Sequence, residues 1–389
     1  MIYLDNHATT RCDPRVTDAM LPWFSEHFGN PHSSHDAGKQ AAAAIELAIA
    51  DIATLLGAKN DAVVITSGAT ESNNLAIRGF CTHPRQKRRH IVTVTTEHPA
   101  VLDVVADLEG EGFRVTHVPV AQAPAADAGV VDIDRLTEAI GDDTALVSVM
   151  WANNEIGAIA PMKEIADICH HRGALLHSDA TQAVGRIPVN VLASDIDLLS
   201  ATAHKFYGSK GSGLLVVGNS NRRVRLRPQI VGGGQQRGLR SGTMNPAGIV
   251  GMATALRLCV DSMTDQQPRV RALREKLWNH LCGAIDGIVI NGPELHAGNR
   301  LPGNLNITLP TIEGQAWMSA ASELAFSSGS ACSGAEAAPS HVLTAIGLTE
   351  SMARRSVRFG IGRFNTEQEI ESASEILIDA YSRVAALAH

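Results

Sequence analysis

The sequence predicts an α/β protein with a largely parallel central sheet, followed by a smaller α+β domain. From about residue 40 to residue 260, short runs rich in Val, Ile and Leu alternate with longer helical patterns. These runs are apolar throughout, which is typical of strands covered on both faces. After about residue 258 the pattern changes to long helical stretches separated by short strand-like runs, so a second domain is expected to begin there.

Six runs in the first part are predicted to be strands of one sheet. In chain order they are "DAVVITSG", "HIVTVTTEH", "TALVSVMW", "ALLHSDA", "DLLSATAHK" and "GSGLLVV". The second part opens with a charged helical stretch over about 266–285, continues through "GIVING", "NLNITLP" and "LAFSSGS", and ends in two more helical stretches. Parallel sheets of this type bind ligands at the carboxyl ends of their strands.

Composition excludes several classes of protein. The 389 residues are 44% hydrophobic, with no apolar run near the ~20 residues that span a bilayer and no secretion signal in "MIYLDNHATT". A soluble cytoplasmic protein without a membrane partner is expected. The net charge is −7, and the short basic runs "RQKRR" and "NRRVRLR" are typical of solvated faces, so no nucleic-acid partner is expected. Six cysteines without a C-x-x-C pair favour reduced thiols and no metal site.

The turn after the first strand is suited to an anion. Gly68, Ala69 and Thr70 lead from "AVVITSG" into a helical pattern, so free backbone N–H groups and the positive end of the helix dipole face the edge of the sheet. A glycine followed by threonine is also an ordinary helix cap. The turn alone therefore leaves both interpretations open.

The other strand ends carry polar side chains of different kinds. One strand ends in Glu97 and His98, another in Asp179 with Gln182 a turn later, and a third in His204 and Lys205. Each residue has an ordinary structural explanation, such as helix capping or a hydrogen-bonded core position. Their arrival at successive strand ends beside an anion-binding turn instead indicates a single site.

One ligand would use all of these groups. Pyridoxal phosphate needs an amine for a Schiff base, a carboxylate beside its pyridine nitrogen, a flat group over its ring and a cradle for its phosphate. The "NNEIG" stretch at 153–157 offers an amide for the phenolic oxygen, and "GGGQQRGLRSGT" at 232–243 offers Arg237, Arg240 and Thr243 for an anion.

A lone cysteine stands in a loop of small residues. Cys332 lies in "SSGSACSGAEAAPSH", which runs from Ser327 to His341 and offers little for a sulfur atom to pack against. Such a thiol stays near water and is free to react. The loop alone leaves open whether Cys332 is reactive or an ordinary loop thiol, while Pro339 and "SHVL" predict the start of the next helix.

The chain closely resembles the cysteine desulfurases of the NifS and IscS kind. The motifs that carry the resemblance are "YLDNHATT", "TSGATESNNLAI", "TEHPAVL", "NNEIG", "HSDATQAVG", "AHKFYGSKG", "RSGT", "SSGSACS", "PSHVLTAIG" and "RFGIGRF", which together span nearly the whole chain. The resemblance implies a class-V aminotransferase-like, fold-type I pyridoxal-phosphate enzyme with a seven-stranded sheet. It also implies three parts: an N-terminal segment (1–14) joining the small domain, a cofactor-binding domain (15–258) and a small domain (259–389) with the cysteine loop (about 327–340).

The resemblance also implies which residues bind the cofactor. They are Ala69, Thr70, His98, Asn154, Asp179, Gln182, Thr202, His204, Lys205 and Thr243. Lys205 would form the Schiff base, Asp179 would pair with the ring nitrogen and His98 would stack on the ring. The phosphate would be bound by Ala69, Thr70, Thr202 and His204, with Thr243 supplied by the second subunit of a homodimer. Asn154 and Gln182 would hydrogen-bond the phenolic oxygen.

Substrate and catalytic roles follow from the same resemblance. L-cysteine would be held by Arg358 through its carboxylate, with support from Asn6 and Asn154. Lys205 and His98 would move the α-proton, and the Cys332 thiolate would attack the substrate sulfur, giving a persulfide and L-alanine. The sulfur would pass to a protein acceptor, in iron-sulfur cluster assembly or in another pathway such as thiolation or DNA phosphorothioation.

Several positions depart from the usual pattern of these enzymes. Thr202 and Ala203 replace a Ser-Gly pair, His7 replaces a smaller residue, and "GAEAA" follows the cysteine motif. Two alternatives therefore stay open. One is a selenocysteine or cystine lyase on the same fold, and the other is a non-catalytic scaffold that has kept the fold.

Overall fold

The architecture is described from a computed structural model, which covers residues 1–218, 222–328 and 339–387. Its strands are β1 (Ile2–Tyr3), β2 (Val63–Thr66), β3 (His90–Val94), β4 (Arg114–Val118), β5 (Thr144–Ser148), β6 (Leu175–Asp179), β7 (Leu198–Thr202), β8 (Gly213–Val217), β9 (Val289–Ile290), β10 (Asn304–Thr308), β11 (Leu324–Ala325) and β12 (Ser356–Gly360).

The helices lie between these strands and at both ends of the chain. They are α1 (Pro14–Met20), α2 (Pro22–Ser25), α3 (Asp36–Leu55), α4 (Ala69–Cys81), α5 (Pro99–Gly110), α6 (Ile133–Ala139), α7 (Met162–His171), α8 (Pro246–Asp261), α9 (Met263–Ala284), α10 (Gly314–Ala320), α11 (His341–Ala345), α12 (Glu350–Arg354) and α13 (Glu367–Leu387). Within the described ranges, none of them is both long and apolar enough to cross a membrane.

The central sheet has seven strands in the order β2-β8-β7-β6-β5-β3-β4. Strands β7, β6, β5, β3 and β4 pair in parallel, whereas β8 is antiparallel to both of its neighbours. Every residue of β3, β5, β6 and β7 is buried, because helices cover both faces. The predicted mostly parallel α/β sheet is confirmed.

Strand β4 was not predicted from the sequence, and its position in the sheet explains why. It lies at the edge of the sheet, and four of its five residues, from Arg114 to His117, are at least partly exposed. An edge strand does not need a continuous apolar run, so its pattern "RVTHV" does not resemble the buried strands.

Two hydrophobic clusters sandwich the sheet. One contains Val16, Ile45 and Ile52 of the helices α1 and α3, together with Leu256 of α8. The other lies under α4 and α5 and includes Leu75 and Val105. The carboxyl ends of the parallel strands are therefore held in one plane by packing on both sides, which fixes the positions of the residues that follow them.

A third cluster belongs to the C-terminal part of the chain. The antiparallel sheet β12-β10-β9 packs with α9 and α13 around Trp317, which is fully buried. The short strand β11 pairs with β1 and does not join this sheet. Strand β12 and helix α10 were not predicted from the sequence. Leu4 joins this third cluster while Val16 joins the first. The domain boundaries at 14 and 258 stay predictions, and residue 258 itself lies inside α8.

Candidate active site

Lys205 lies at the centre of the candidate site. Strand β7 ends at Thr202, and the single 3₁₀ turn that follows, Ala203–Lys205, places the amine beyond the carboxyl end of this strand. Its Nζ donates to the backbone carbonyls of His7 (2.7 Å) and Ala8 (2.6 Å). Burial, followed by the nearby Arg186 and Arg358 cations, lowers the pKa of this amine to about 7. A large share of Lys205 is therefore neutral near pH 7 and able to act as a nucleophile.

Asp179 ends the neighbouring strand β6 and is buried. Its Oδ1 accepts from the backbone N–H of Thr181 (2.9 Å), and its Oδ2 accepts from the side-chain amide of Asn73 in α4 (2.8 Å). Its charge also acts on both Lys205 and His98. The predicted convergence of these strand ends is therefore present in the structure. Asn73 was missed, and only its place in "TESNNLAI" could have pointed to it.

His98 caps α5 with its imidazole. Its Nδ1 accepts from the backbone N–H of Ala100 (3.0 Å), so in the neutral ring the proton lies on Nε2. Burial lowers the pKa of His98, Lys205 lowers it further and Asp179 opposes the shift. His98 therefore caps a helix, and the lowered pKa favours an uncharged ring beside the strand ends.

Glu97, next to His98, is a fully buried carboxyl group. Its Oε1 accepts from the backbone N–H of Met150 (2.5 Å), while Oε2 has no hydrogen-bond partner among the described residues. Burial, reinforced by the negative charge of Asp179, raises the pKa of Glu97 well above its ordinary value. A negative charge on Glu97 is therefore disfavoured in the site.

The anion-binding turn is open at the start of α4. Gly68 occupies the N-cap position, where no side chain caps the helix. Thr202 lies beside Gly68. A Cβ placed on Gly68 would be 3.8 Å from Thr202 Oγ1. A Cβ on Gly213 of β8 would come within 2.5 Å of Gly68 Cα, so this close approach requires a glycine. Ala69 and Thr70 are thus the first residues of an uncapped helix that follows a tightly packed turn.

His204 is held by the N-terminal segment. Its Nδ1 lies 3.0 Å from Thr9 Oγ1, and its carbonyl accepts from the backbone N–H and the hydroxyl of Thr10 (both 2.9 Å). Burial, aided by Lys205 and Lys210, lowers the pKa of His204 to about 4. The ring is therefore neutral at physiological pH and serves as a hydrogen-bonding group rather than a cation.

Gln182 is bound at both ends of its amide by His7. Gln182 Nε2 donates to the His7 carbonyl (2.9 Å), and His7 Nδ1 donates to Gln182 Oε1 (2.9 Å). Burial holds the pKa of His7 well below its ordinary range, so the ring stays neutral. His7 was noted only as an unusual residue, and the sequence held no signal for this contact.

Arg358 lies in the middle of β12 and is buried. Its Nη2 donates to Asp5 (2.8 Å) and to the Ser327 hydroxyl (2.7 Å), and its Nη1 donates to the Asn154 carbonyl (3.1 Å). Its Nε has no hydrogen-bond partner among the described residues. The guanidinium thus brings the predicted substrate residues Arg358 and Asn154 together and retains one buried N–H for a ligand.

Asn6 and Arg186 tie the N-terminal segment to the site. The Asn6 side chain donates to the Gly360 carbonyl (2.8 Å) and to Asn365 (3.2 Å), so its amide supports the backbone. Arg186, which was missed, donates to the Asn6 carbonyl and to the Lys205 carbonyl (3.1 Å). The Arg186 guanidinium therefore connects the N-terminal segment, whose carbonyls accept from Lys205, to the turn that contains Lys205.

Thr243 and Cys332 are not brought to the site within the described residues. Thr243 is exposed, although Arg240, three residues earlier, pairs with Glu71 in the first turn of α4 (2.8 Å). Cys332 lies outside the described residues. Of the other thiols, burial raises the pKa of Cys81 to about 12 and that of Cys259 to about 11, which makes both unreactive. In the ranges described, no cluster of three or more His, Cys, Asp or Glu residues could hold a metal ion.

Comparison with known proteins identifies the family of the chain. The model of the aminotransferase class-V family matches residues 2–372, and the chain belongs to that family. Its relatives include cysteine desulfurase IscS of Rickettsia bellii (strain OSU 85-389), 45% identical over 384 residues, which are 98% of this chain and 92% of that protein. The resemblance to the cysteine desulfurases of the NifS and IscS kind is thereby confirmed.

Solved structures agree with this placement. A NifS-like protein superposes with a TM-score of 0.89 at 34% identity, covering 98% of this chain and 99% of that one. A structure titled SspA in complex with cysteine gives a TM-score of 0.80 at 33% identity, covering 94% of this chain and all (100%) of the other. The fold is that of the NifS-like, fold-type I pyridoxal-phosphate enzymes.

Proposed function

We propose that the protein is a pyridoxal-phosphate-dependent cysteine desulfurase, a sulfurtransferase that takes sulfur from L-cysteine as a persulfide on Cys332 and releases L-alanine. The observation that carries the proposal is the placement of the partly buried Lys205 and the buried Asp179 after neighbouring strands of the sheet. A lysine whose pKa is lowered to about 7 and a buried carboxylate fixed by two donors are the groups that this cofactor requires.

The residues present fit pyridoxal phosphate. The turn at Gly68 leaves the first N–H groups of a thirteen-residue helix without a side-chain cap, which suits the phosphate. Asp179 would hold the ring nitrogen, His98 would lie on the ring, and Asn154 and Gln182 would contact the phenolic oxygen. Thr202 and His204 would complete the phosphate contacts, with Thr243 contributed across a homodimer.

The chain's own groups then account for the proton movements. Pyridoxal phosphate, when bound, supplies an electron sink for the α-carbon of an amino acid. Lys205, whose pKa is lowered to about 7, would accept the α-proton as a neutral amine and later return one. The neutral ring of His98 lies beside it as a second proton carrier. The raised pKa of Glu97 disfavours a second negative charge beside Asp179, and the Asp179 carboxylate would pair with a cationic ring nitrogen.

Arg358 would bind the substrate carboxylate. Its buried Nε–H has no partner among the described residues, while Nη2 is already shared between Asp5 and Ser327. A substrate carboxylate would satisfy this N–H, which is costly to leave unpaired in a buried place. Asn154 and Asn6 would support it from either side. The solved relative in complex with cysteine supports cysteine as the substrate.

Cys332 would carry out the sulfur transfer. Its thiolate attacks the sulfur of the bound cysteine, forming an S–S bond as the Cβ–S bond breaks. The electron pair of that bond stays with the three-carbon product, which takes up a proton and leaves as L-alanine. The persulfide would then pass to a protein acceptor, for iron-sulfur cluster assembly or another sulfur-transfer pathway, and the protein would work as a cytoplasmic homodimer.

The test is to incubate the holoprotein with L-cysteine and to map the persulfide by mass spectrometry. Sulfur on Cys332, with alanine released in equal amount, is the expected result. Sulfur on Cys12, Cys81 or Cys259 would overturn the assignment. Full-rate sulfide release by Cys332→Ser would instead indicate a lyase. A colourless protein that takes up no added cofactor, like the Lys205→Ala control, would indicate a scaffold.

A further inference from the structure

Two buried serines lie on either side of the cysteine loop in the sequence. Ser327 comes five residues before Cys332 and Ser340 comes eight residues after it, and both side chains are buried. Neither serine belongs to the set of residues that would bind the cofactor or the substrate. Their side chains nevertheless form hydrogen bonds with two ionisable residues, Ser327 with Arg358 and Ser340 with Glu155.

Ser327 is bound directly to Arg358. The two residues form a backbone bridge, with Ser327 N–H donating to the Arg358 carbonyl (3.2 Å) and Arg358 N–H donating to the Ser327 carbonyl (2.6 Å). The Ser327 hydroxyl also accepts from Arg358 Nη2 (2.7 Å) and donates to Asp5 (3.1 Å). The upstream end of the cysteine loop is therefore fixed to the guanidinium that would bind the substrate.

Ser340 is bound to Glu155. Its hydroxyl donates to Glu155 Oε2 (2.5 Å) and accepts from the backbone N–H of Leu343 (3.2 Å), which caps α11. The next residue, His341, donates from Nε2 to the Glu97 carbonyl (2.9 Å). The downstream end of the cysteine loop is therefore fixed to two residues that follow strands of the central sheet. They are Glu155 in "NNEIG" and Glu97, which precedes His98.

Arg358 also contacts the turn at residues 154–156, which contains Glu155. Its Nη1 donates to the carbonyl of Asn154, the residue just before Glu155 (3.1 Å). The Glu155 carbonyl in turn accepts from the side-chain amides of Asn304 (2.9 Å) and Asn306 (3.2 Å). Asn306 lies directly opposite Arg358 in the β10–β12 pair. Hydrogen bonds thus link Ser327 to Arg358 and Arg358 to Asn154, and the backbone from Asn154 to Glu155 completes the connection to Ser340.

We propose that Ser340, through Glu155, is a positioning residue for sulfur transfer, and that it works with Ser327 to place both ends of the Cys332 loop relative to Arg358. The inference rests on the proposed desulfurase function. Its consequence is that the residues on both sides of the loop are held through contacts that lead to Arg358, the group that would hold the substrate carboxylate. Small errors in such placement are costly, since a misplacement of about 1 Å can slow a reaction by about 100-fold.

The test separates substrate binding from sulfur transfer in the holoenzyme. Rapid mixing with L-cysteine gives the rate of the visible absorbance change of the cofactor, and quenched samples analysed by mass spectrometry give the rate of persulfide formation on Cys332. In Ser340→Ala, we expect persulfide formation to slow by about tenfold or more while the absorbance change keeps its wild-type rate. Ser340→Thr keeps the hydroxyl and is expected to restore the transfer.

A matched control is Ser374→Ala, because Ser374 is equally buried but donates only to the Ile370 carbonyl within α13. It should behave as wild type in both measurements. The inference is overturned if Ser340→Ala forms the persulfide at the wild-type rate, or if its absorbance change slows in parallel with transfer. A wild-type protein that forms no persulfide at all would instead refute the proposed desulfurase function.

Discussion

Arg186 is predicted to control the charge of Lys205. Replacing it with methionine removes a cation that lies against the Lys205 turn, whereas replacing it with lysine keeps the charge and changes the hydrogen bonds in a similar way. Since a nearby cation disfavours the protonated amine, Arg186→Met should raise the pKa of Lys205. Arg186→Lys should leave it near its wild-type value.

The size of the effect follows from the pKa of about 7 for Lys205. At pH 8 such an amine is about 90% neutral, whereas an amine with the ordinary pKa of 10.5 is neutral in only about 0.3% of molecules. Burial is the largest cause of this fall in pKa, the charge of Arg186 is the next, and one pKa unit corresponds to about 1.4 kcal/mol. Loss of Arg186 should therefore move the midpoint upward by part of the difference between about 7 and 10.5, on the order of one pH unit.

The assay measures the rate at which the cofactor-free protein takes up pyridoxal phosphate, followed by visible absorbance from pH 5.5 to 10. Uptake requires the neutral amine, so the rate should rise through a midpoint near pH 7 in the wild type and in Arg186→Lys, and through a higher midpoint in Arg186→Met. Circular dichroism checks that both variants are folded. A wild-type midpoint near pH 10, or equal midpoints in the two variants, would refute the reasoning.

Three further predictions concern packing. Gly213→Ala places a Cβ within 2.5 Å of Gly68 and should weaken cofactor binding at least tenfold in a fluorescence titration, whereas Gly110→Ala, with open space around it, should bind normally. Trp317→Ala empties the third cluster and should lower the free energy of unfolding by about 3–5 kcal/mol in urea. Arg300→Met removes a buried donor to several backbone carbonyls and should cost about 2–4 kcal/mol in the same assay. Unchanged midpoints of unfolding would contradict the last two.

The sequence predicted the residues that follow the strands better than the contacts among them. Lys205 and Asp179 stand directly at the ends of buried apolar runs, so the rule that parallel strands end at one edge was enough to bring them together. Asn73 lies more than a hundred residues from Asp179 in the chain, and its contact depends on how α4 packs on the sheet. Such packing leaves no local pattern.

The remaining omissions have the same cause. Arg186 donates to the backbone carbonyls of distant residues, and His7 accepts from Gln182 and Lys205 through its own backbone carbonyl. Any sequence provides backbone carbonyls, so these contacts leave no local pattern. Strand β12 was hidden because its central residue, Arg358, interrupts the apolar run that would mark it as buried. A charged residue in a buried strand is the signal that could have revealed it.

The N-terminal segment determines when the site can form during synthesis of the chain. Its carbonyls at His7 and Ala8 accept from Lys205, and its own place is fixed by the contact between Asn6 and Gly360, which are 354 residues apart. The segment leaves the ribosome 354 residues before its partner in β12, so this contact closes a very long loop. The central sheet is complete in sequence well before then. The contacts of the lysine pocket therefore cannot all form until residue 360 has been made, long after the last strand of the central sheet.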